Sequence, residues 1–179
     1  YNEGMKKLSL SFLITFIAGG LYALAYPSFL GAGWLPLIFI ALPLFFWQLE
    51  GTTFKTSLLT ILAFNLGLNV VGYYWIPQTL VEFGQLPFPV AFLLGGLFSL
   101  ILQPHWWVFA VWKKYRPQWT WINERNTILT ALIATLLERY VTQQFPSYAG
   151  SPWLHLAPYV GLAPYFGVAI FSFITYWVS

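Results

Sequence analysis

The sequence predicts an all-α chain, a polytopic transmembrane helix bundle of about six membrane segments, and three observations carry that expectation. Hydrophobic residues make up 59% of the 179 residues and charged residues 7%. A soluble domain carries about 25% charge, so water-facing surface could not be coated here. The mean hydropathy is +0.68. The charges cluster, leaving uncharged stretches at 8–49, 56–81, 83–112, 126–137 and 140–179, where a crossing helix needs about 20 apolar residues. Runs such as 35–46 do not alternate polar with apolar residues, as a membrane β-barrel would require. Helix satisfies every backbone group inside lipid. This composition excludes a soluble enzyme, a disordered tail and a nucleic-acid reader.

Taken in order, the first segment is 8–26, stopped by Pro27, with Gly31 and Gly33 in the turn. The second, 35–48, is short enough to be tilted or to reach half depth. The third, about 56–76, carries Gly67 and Gly72. The fourth, about 88–112, has Pro104 inside it. The fifth spans about 126–141 and the sixth about 164–178. Residues 1–7 divide off as a flank: Tyr1 to Gly4 resemble a start-site extension, and Lys6-Lys7 form a basic edge. Residues 8–179 form the membrane domain. No small-x-small cleavage site followed by a polar region appears, so the first segment reads as a retained helix.

Lys and Arg placement sets the orientation. With the N-terminus cytoplasmic, alternating crossings put Lys6, Lys7, Lys55, Lys113, Lys114, Arg116 and Arg125 inside. The external stretches 27–34, 78–87 and 142–163 contain no Lys or Arg, leaving Arg139 as the basic residue nearest the other side.

Few residues offer chemistry. There is no Cys, so no disulfide, thiolate metal site or cysteine nucleophile exists on this chain. There is no Asp either, so a Ser-His-Asp triad cannot form. The acids Glu3, Glu50, Glu82, Glu124 and Glu138 are too scattered for a carboxylate metal site. His105 and His155 differ in depth by roughly 20 Å or more, which disfavours a shared haem. His105 fits a neutral, hydrogen-bonded polar residue beside Pro104, with a single axial ligand as the other reading. Asn65 and Asn69, four apart, share a helix face and read as packing glue between helices. Gly19-Gly20 and Gly95-Gly96 lie in apolar helices and signal close packing.

Two regions stand out as lipid- or substrate-facing candidates. The stretch 73–87 contains Tyr74, Trp75, Glu82, Phe83, Gly84 and Pro87. Its types fit an interfacial aromatic belt and equally a lipid-handling rim, with aromatic faces on acyl chains and Glu82 at a head group. Glu138-Arg139 is an adjacent acid–base pair inside an apolar stretch, and ionisable groups at depth default to function. Arg139 can snorkel to head groups or contact a lipid phosphate, with Glu138 facing the interior. The uncharged external segment 145–155, with Pro152 and Trp153, suits an interface-lying stretch or a seat for a water-soluble domain.

The order of these features resembles the N-terminal membrane domain of apolipoprotein N-acyltransferase over nearly the whole chain. The likeness rests on Tyr26-Pro27 with Gly33-Trp34-Leu35-Pro36-Leu37, and most specifically on Phe64-Asn65-Leu66-Gly67, Gly72-Tyr73-Tyr74-Trp75-Ile76, Phe83-Gly84 and Pro87. It continues in Glu138, Phe145-Pro146, Pro152-Trp153-Leu154 and Leu162-Ala163-Pro164 with Tyr165-Phe166-Gly167-Val168. Arg139 follows Glu138 directly, where the family spaces the two three apart. The resemblance implies residence in the bacterial inner membrane and acyl transfer from phospholipid to the N-terminus of a lipoprotein. The family's Glu-Lys-Cys triad lies in a nitrilase-like domain that this sequence does not contain. A thioester needs a thiolate, so this chain by itself is expected to be inactive, with no catalytic residue, metal or cofactor. The resemblance thus implies a domain that anchors the catalytic part and forms its lipid-access rim, with Trp75, Phe83, Pro87 and Trp153 expected along it. Phospholipids and, through the catalytic domain, a lipoprotein are the expected partners. The other reading is a non-catalytic scaffold subunit of a larger membrane complex, contacting partner helices, pigments or lipids.

Expressed in bacteria, the chain is expected to stay with the membrane pellet through an alkaline carbonate wash. Recovery in the wash would overturn the membrane expectation.

Overall fold

Helix α1 (Asn2–Leu24) is free of proline and stops just before Tyr26-Pro27, since the residue ahead of a proline avoids the helical region. The chain returns through a bond from the Trp34 amide to the Leu24 carbonyl (3.1 Å). A short 3-10 turn (Leu35–Leu37) with Pro36 in its first positions opens α2 (Ile38–Leu49). The buried residues of α2, Ile38, Ala41, Leu42, Phe45, Phe46 and Leu49, recur at the spacing of one helical face. Helix α3 (Phe54–Gly72) is N-capped by Thr53, whose side chain accepts from the Thr56 amide. There follow α4 (Trp75–Glu82), α5 (Phe88–Leu97), a 3-10 turn (Phe98–Leu100), α6 (Pro104–Lys114), α7 (Glu124–Tyr140), a 3-10 turn (Ser151–Leu156) and α8 (Ala163–Val178). This computed structural model describes residues 2–27, 33–115, 124–145, 147–156 and 162–179, and among these there is no strand.

The closest helix pair is α1 with α3. A Cβ on Gly19 would lie 1.9 Å from the Phe64 carbonyl oxygen, and one on Gly67 would lie 1.9 Å from that of Phe16. Only hydrogen fits at either position, so the two backbones touch. Around this contact the core is aromatic. The Phe45 ring lies 4.4 Å from Phe64 and 5.0 Å from Trp106, and Trp106 meets Tyr176 edge-on at 5.7 Å. One cluster thereby joins α2, α3, α6 and α8.

Several sequence expectations change. The helix starting at Asn2 takes in the backbone of the N-terminal flank. The third segment ends at Gly72, and 73–87 is not a plain loop but holds α4, with Pro77 in its first turn where no amide is needed. The fourth segment is broken: α5 with its 3-10 turn and α6 meet at a 47° bend, because Pro104 starts a new helix instead of continuing the old one. The sixth is kinked at Gly167, whose φ of 63° suits glycine. His105 is buried, yet neither ring nitrogen has a hydrogen-bond partner. Its ring packs 4.6 Å from that of Trp106, so it serves here as packing. Asn69 bonds across helices as expected, whereas both side-chain polar atoms of Asn65 are buried without a partner. The side chains of Lys6, Lys7 and Arg125, the whole of Arg116 and Pro146, and the side chain of His155 lie outside the described residues.

By length and apolarity, Phe54–Gly72 can cross a bilayer, and the bent pair 88–114 makes a second crossing if counted as one span. Leu8–Leu24, Leu35–Leu49 and Pro164–Val178 are shorter apolar helices.

Replacing Gly67 by Ala forces two backbones apart and is expected to cost about 3 kcal/mol or more. Gly96→Ala, with open space around the new methyl, is expected to change stability by about 1 kcal/mol or less, on the stabilising side. Thermal unfolding in detergent followed by tryptophan fluorescence distinguishes the two.

Candidate functional site

Two concavities take in candidate residues read from the sequence. The larger, about 550 Å³, lies between α3, α4 and α5. Its floor is set by Asn69, whose amide nitrogen donates to the Gly95 carbonyl (2.7 Å) and to Ser99 Oγ (2.8 Å). Pro77 presses on Gly95, where a Cβ would come within 2.6 Å of its ring, and this fixes α4 against α5. Leu66, Val70, Val81, Phe88 and Phe92 supply apolar wall, and Tyr74, Gln78 and Glu82 a polar margin. Gln78 Nε2 donates to Glu82 Oε1 (2.7 Å). Beyond that margin Phe83 stands 82% exposed, with Gly84 and Pro87 exposed beside it.

The smaller concavity, about 240 Å³, lies where α7 meets the Gly167 kink of α8 and is lined by Glu138, Arg139, Thr135, Tyr148 and Ser172 among others. Glu138 is buried and Arg139 exposed, the divergence expected of helical neighbours about 100° apart. A buried carboxylate needs donors, and the fold provides them. Glu138 Oε1 accepts from the Ala149 amide (2.6 Å) and from the Tyr176 hydroxyl (2.8 Å).

These bonds belong to a wider clasp on the segment after α7. Gln143 Nε2 donates to the Glu138 carbonyl (3.0 Å). Tyr22 Oη donates to the Ser147 carbonyl (3.1 Å), and Tyr26 Oη to that of Tyr148 (2.7 Å). Gln103 Nε2 donates to Ser147 Oγ, and the Gly150 amide to Ser172 Oγ (2.9 Å). Helices α1, α7 and α8 and the residue before α6 all hold this stretch. Phe145, at its start, meets Tyr73 (5.5 Å) and Trp75 (5.9 Å), linking the clasp to the margin of the larger groove.

The candidate residues read from the sequence therefore fall into separate places. Tyr74 and Glu82 line the large groove, while Trp75, Phe83, Gly84 and Pro87 border it or project beyond it. Glu138 and Arg139 line the smaller cavity. Pro152 is buried. Trp153 packs between Phe39 (6.0 Å, edge-on) and Phe171 (5.7 Å, stacked), and its Nε1 donates to Thr175 Oγ1 (2.9 Å). It stabilises the junction of α2 and α8 and does not line the groove. Sequence reasoning missed Tyr22, Tyr26, Ser172 and Tyr176. Their signal was the i, i+4 spacing of Tyr22 with Tyr26 and of Ser172 with Tyr176, polar pairs on one face of an apolar helix.

Comparison with known proteins places this architecture. The family described as the apolipoprotein N-acyltransferase N-terminal domain matches residues 18–179, and the chain belongs to that family. It is also similar to an apolipoprotein N-acyltransferase of Shewanella oneidensis, 32% identical over 103 residues. That match covers 57% of this chain and 19% of the relative, so the chain corresponds to a minor part of that protein's length.

Glu138→Ala removes the acceptor for two buried donors and is expected to cost about 1–3 kcal/mol for each. Glu138→Gln keeps one oxygen and is expected to lose less than half as much. Equal losses in thermal unfolding would show that the bonds to Ala149 and Tyr176 do not carry the clasp.

Proposed function

From membership of this family we propose that the chain is the membrane-embedded domain of an apolipoprotein N-acyltransferase-like protein in the bacterial inner membrane. It is a polytopic bundle with a cytoplasmic N-terminus, residues 8–179 forming the embedded part and residues 1–7 its flank. Its task is to anchor the catalytic part and to hold a phospholipid acyl chain at the lipid-access margin, so that the chain can pass to the N-terminus of a lipoprotein. The observation that carries this reading is the groove between α3, α4 and α5. It is apolar in its walls, polar at the Gln78–Glu82 edge and bordered by exposed Tyr74, Trp75, Phe83 and Phe88.

Acyl chains already reside in the bilayer, so an apolar groove can take one without drawing it through water. What the domain contributes is position. A reacting carbonyl held near an external nucleophile spares part of the entropic cost of a bimolecular encounter. This sequence contains no Cys, so the thiolate of the family's thioester chemistry would come from residues beyond it. Glu138 has a supporting part: it fixes the segment whose Phe145 backs Tyr73 and Trp75. Arg139, exposed at the mouth of the smaller cavity, offers a cation to a lipid phosphate.

The test uses the purified chain in liposomes with a phospholipid bearing a photoreactive acyl chain. Labelling is expected on α3–α5, around Val70, Phe88 and Phe92. Gly96→Phe fills the groove from a position with free space and is expected to cut that labelling at least fivefold, with thermal unfolding unchanged. Labelling spread evenly over all lipid-facing helices, and indifferent to Gly96→Phe, would overturn the groove assignment.

A further inference from the structure

At the end of α3 away from the groove, the turn after α2 and the last turn of α6 enclose a further polar cavity. It has a volume of about 160 Å³ and is lined by Thr52, Thr53, Ser57, Lys113 and Lys114, with Gly51 at the turn. A single water needs roughly 10–15 Å³ of such space, so a polyatomic group fits. Lys113 Nζ donates to the Leu49 carbonyl and to Thr52 Oγ1 (2.9 Å). An ammonium has three N–H groups, which leaves one. Lys114 Nζ sits 5.1 Å over the Phe54 ring, a cation–π contact that holds the charge beside the cavity. Thr52 Oγ1 donates to the Leu49 carbonyl (2.6 Å) and therefore accepts from Ser57 Oγ (2.7 Å), which leaves the Thr53 hydroxyl as the one facing the cavity with a hydrogen to give. Glu50, the acid whose charge acts on Lys113, is not among the lining residues. The lining thus presents two cations and three hydroxyls with no carboxylate. The positive end of the α3 dipole adds to this field, though the lysine pair defines the site.

We propose that this cavity binds a phosphate ester or phosphate ion, the chemistry shared by the head group of an anionic glycerophospholipid and by free phosphate. The free N–H groups of Lys113 and Lys114, with the Thr53 hydroxyl, converge on one small cavity and match a tetrahedral oxyanion, which accepts on every oxygen. Basic pockets between helices at the cytoplasmic edge are where anionic head groups are drawn, and the orientation read from the sequence puts Lys55, Lys113 and Lys114 on that edge. The site lies about 20 Å from the groove along α3, at the opposite end of that helix, and is a separate site. Only the lipid source depends on the membrane reading, and the photolabelling experiment on the groove does not bear on it.

The test measures retention of phosphatidylglycerol against phosphatidylcholine by native mass spectrometry of the detergent-purified chain, and binding of inorganic phosphate to the same preparation by calorimetry. Lys114→Gln leaves both bonds of Lys113 in place and is expected to weaken the bound species about fivefold, and the double variant with Lys113→Gln by more than tenfold. Lys114→Arg is expected to restore binding. Lys55→Gln, which removes a charge at the same end but outside the cavity, is expected to change it less than twofold. Loss of phosphatidylglycerol retention in the pair variants supports a head-group site, and loss confined to inorganic phosphate supports the same site with a soluble ligand. If neither ligand depends on Lys113 and Lys114, or if Lys55→Gln acts as strongly as Lys114→Gln, the site is not there.

Discussion

A buried carboxylate in an apolar bundle has to be met by donors, and the way Glu138 is met organises one end of this molecule. Its Oε1 takes the Ala149 amide and the Tyr176 hydroxyl. Those two bonds fix the segment after α7 to the helix that precedes it and to α8. Hydroxyls from α1 and Gln103 ahead of α6 then fasten the same stretch from the other side. The stretch carries little regular structure, so without these bonds its backbone groups would lack partners in an apolar setting. Because Phe145 leads into it and touches Tyr73 and Trp75, the position of the aromatic margin also depends on a carboxylate on another helix.

Helix α3 is the second organising element. Its N-terminal turn contributes to the lysine-lined cavity, its middle is pressed against α1, and its C-terminal half forms the floor of the large groove. Different residue types do these jobs along one helix: hydroxyls at Thr53 and Ser57, hydrogen at Gly67, an amide at Asn69. The Asn69 bonds to Gly95 and Ser99 are individually modest, since interhelical bonds of this kind contribute about 0.6 kcal/mol on average. Their value is geometric, because they hold α5 where Pro77 can lie on Gly95.

Much of this was legible in the sequence, and for identifiable reasons. Absent charge and non-alternating apolar runs pointed to the all-helical class, and Pro27 marked the end of the first helix to within a few residues. Glu138 stood out because carboxylates are rare at depth, and Asn69 because it shares a helix face with Asn65, though only Asn69 bonds across helices. The breaks were harder. Pro104 and Gly167 each tolerate two outcomes, a kink within a span or the start of a new helix, and the choice is made by tertiary packing that no local pattern carries. The separate helix at Trp75–Glu82 was hidden for the same reason: aromatic and Gly-Pro signals suit a loop as well as a short interfacial helix. The clasp itself was least visible, since Tyr22, Gln103, Ser147 and Tyr176 are far apart in sequence and ordinary in type.

The close passage of α1 and α3, with Gly19 on Phe64 and Gly67 on Phe16, also has a bearing on biosynthesis. The closest partner of the first helix is the third, so when α1 leaves the ribosome part of the surface it must bury against does not yet exist. Until α3 emerges, the strip around Gly19 faces whatever surrounds the nascent chain, while α2 can already reach α1 through Ser11 and Gln48. The order of assembly is therefore set by two hydrogen atoms, and a substituent at either one would leave the earliest part of the polypeptide waiting for a neighbour it could no longer accept.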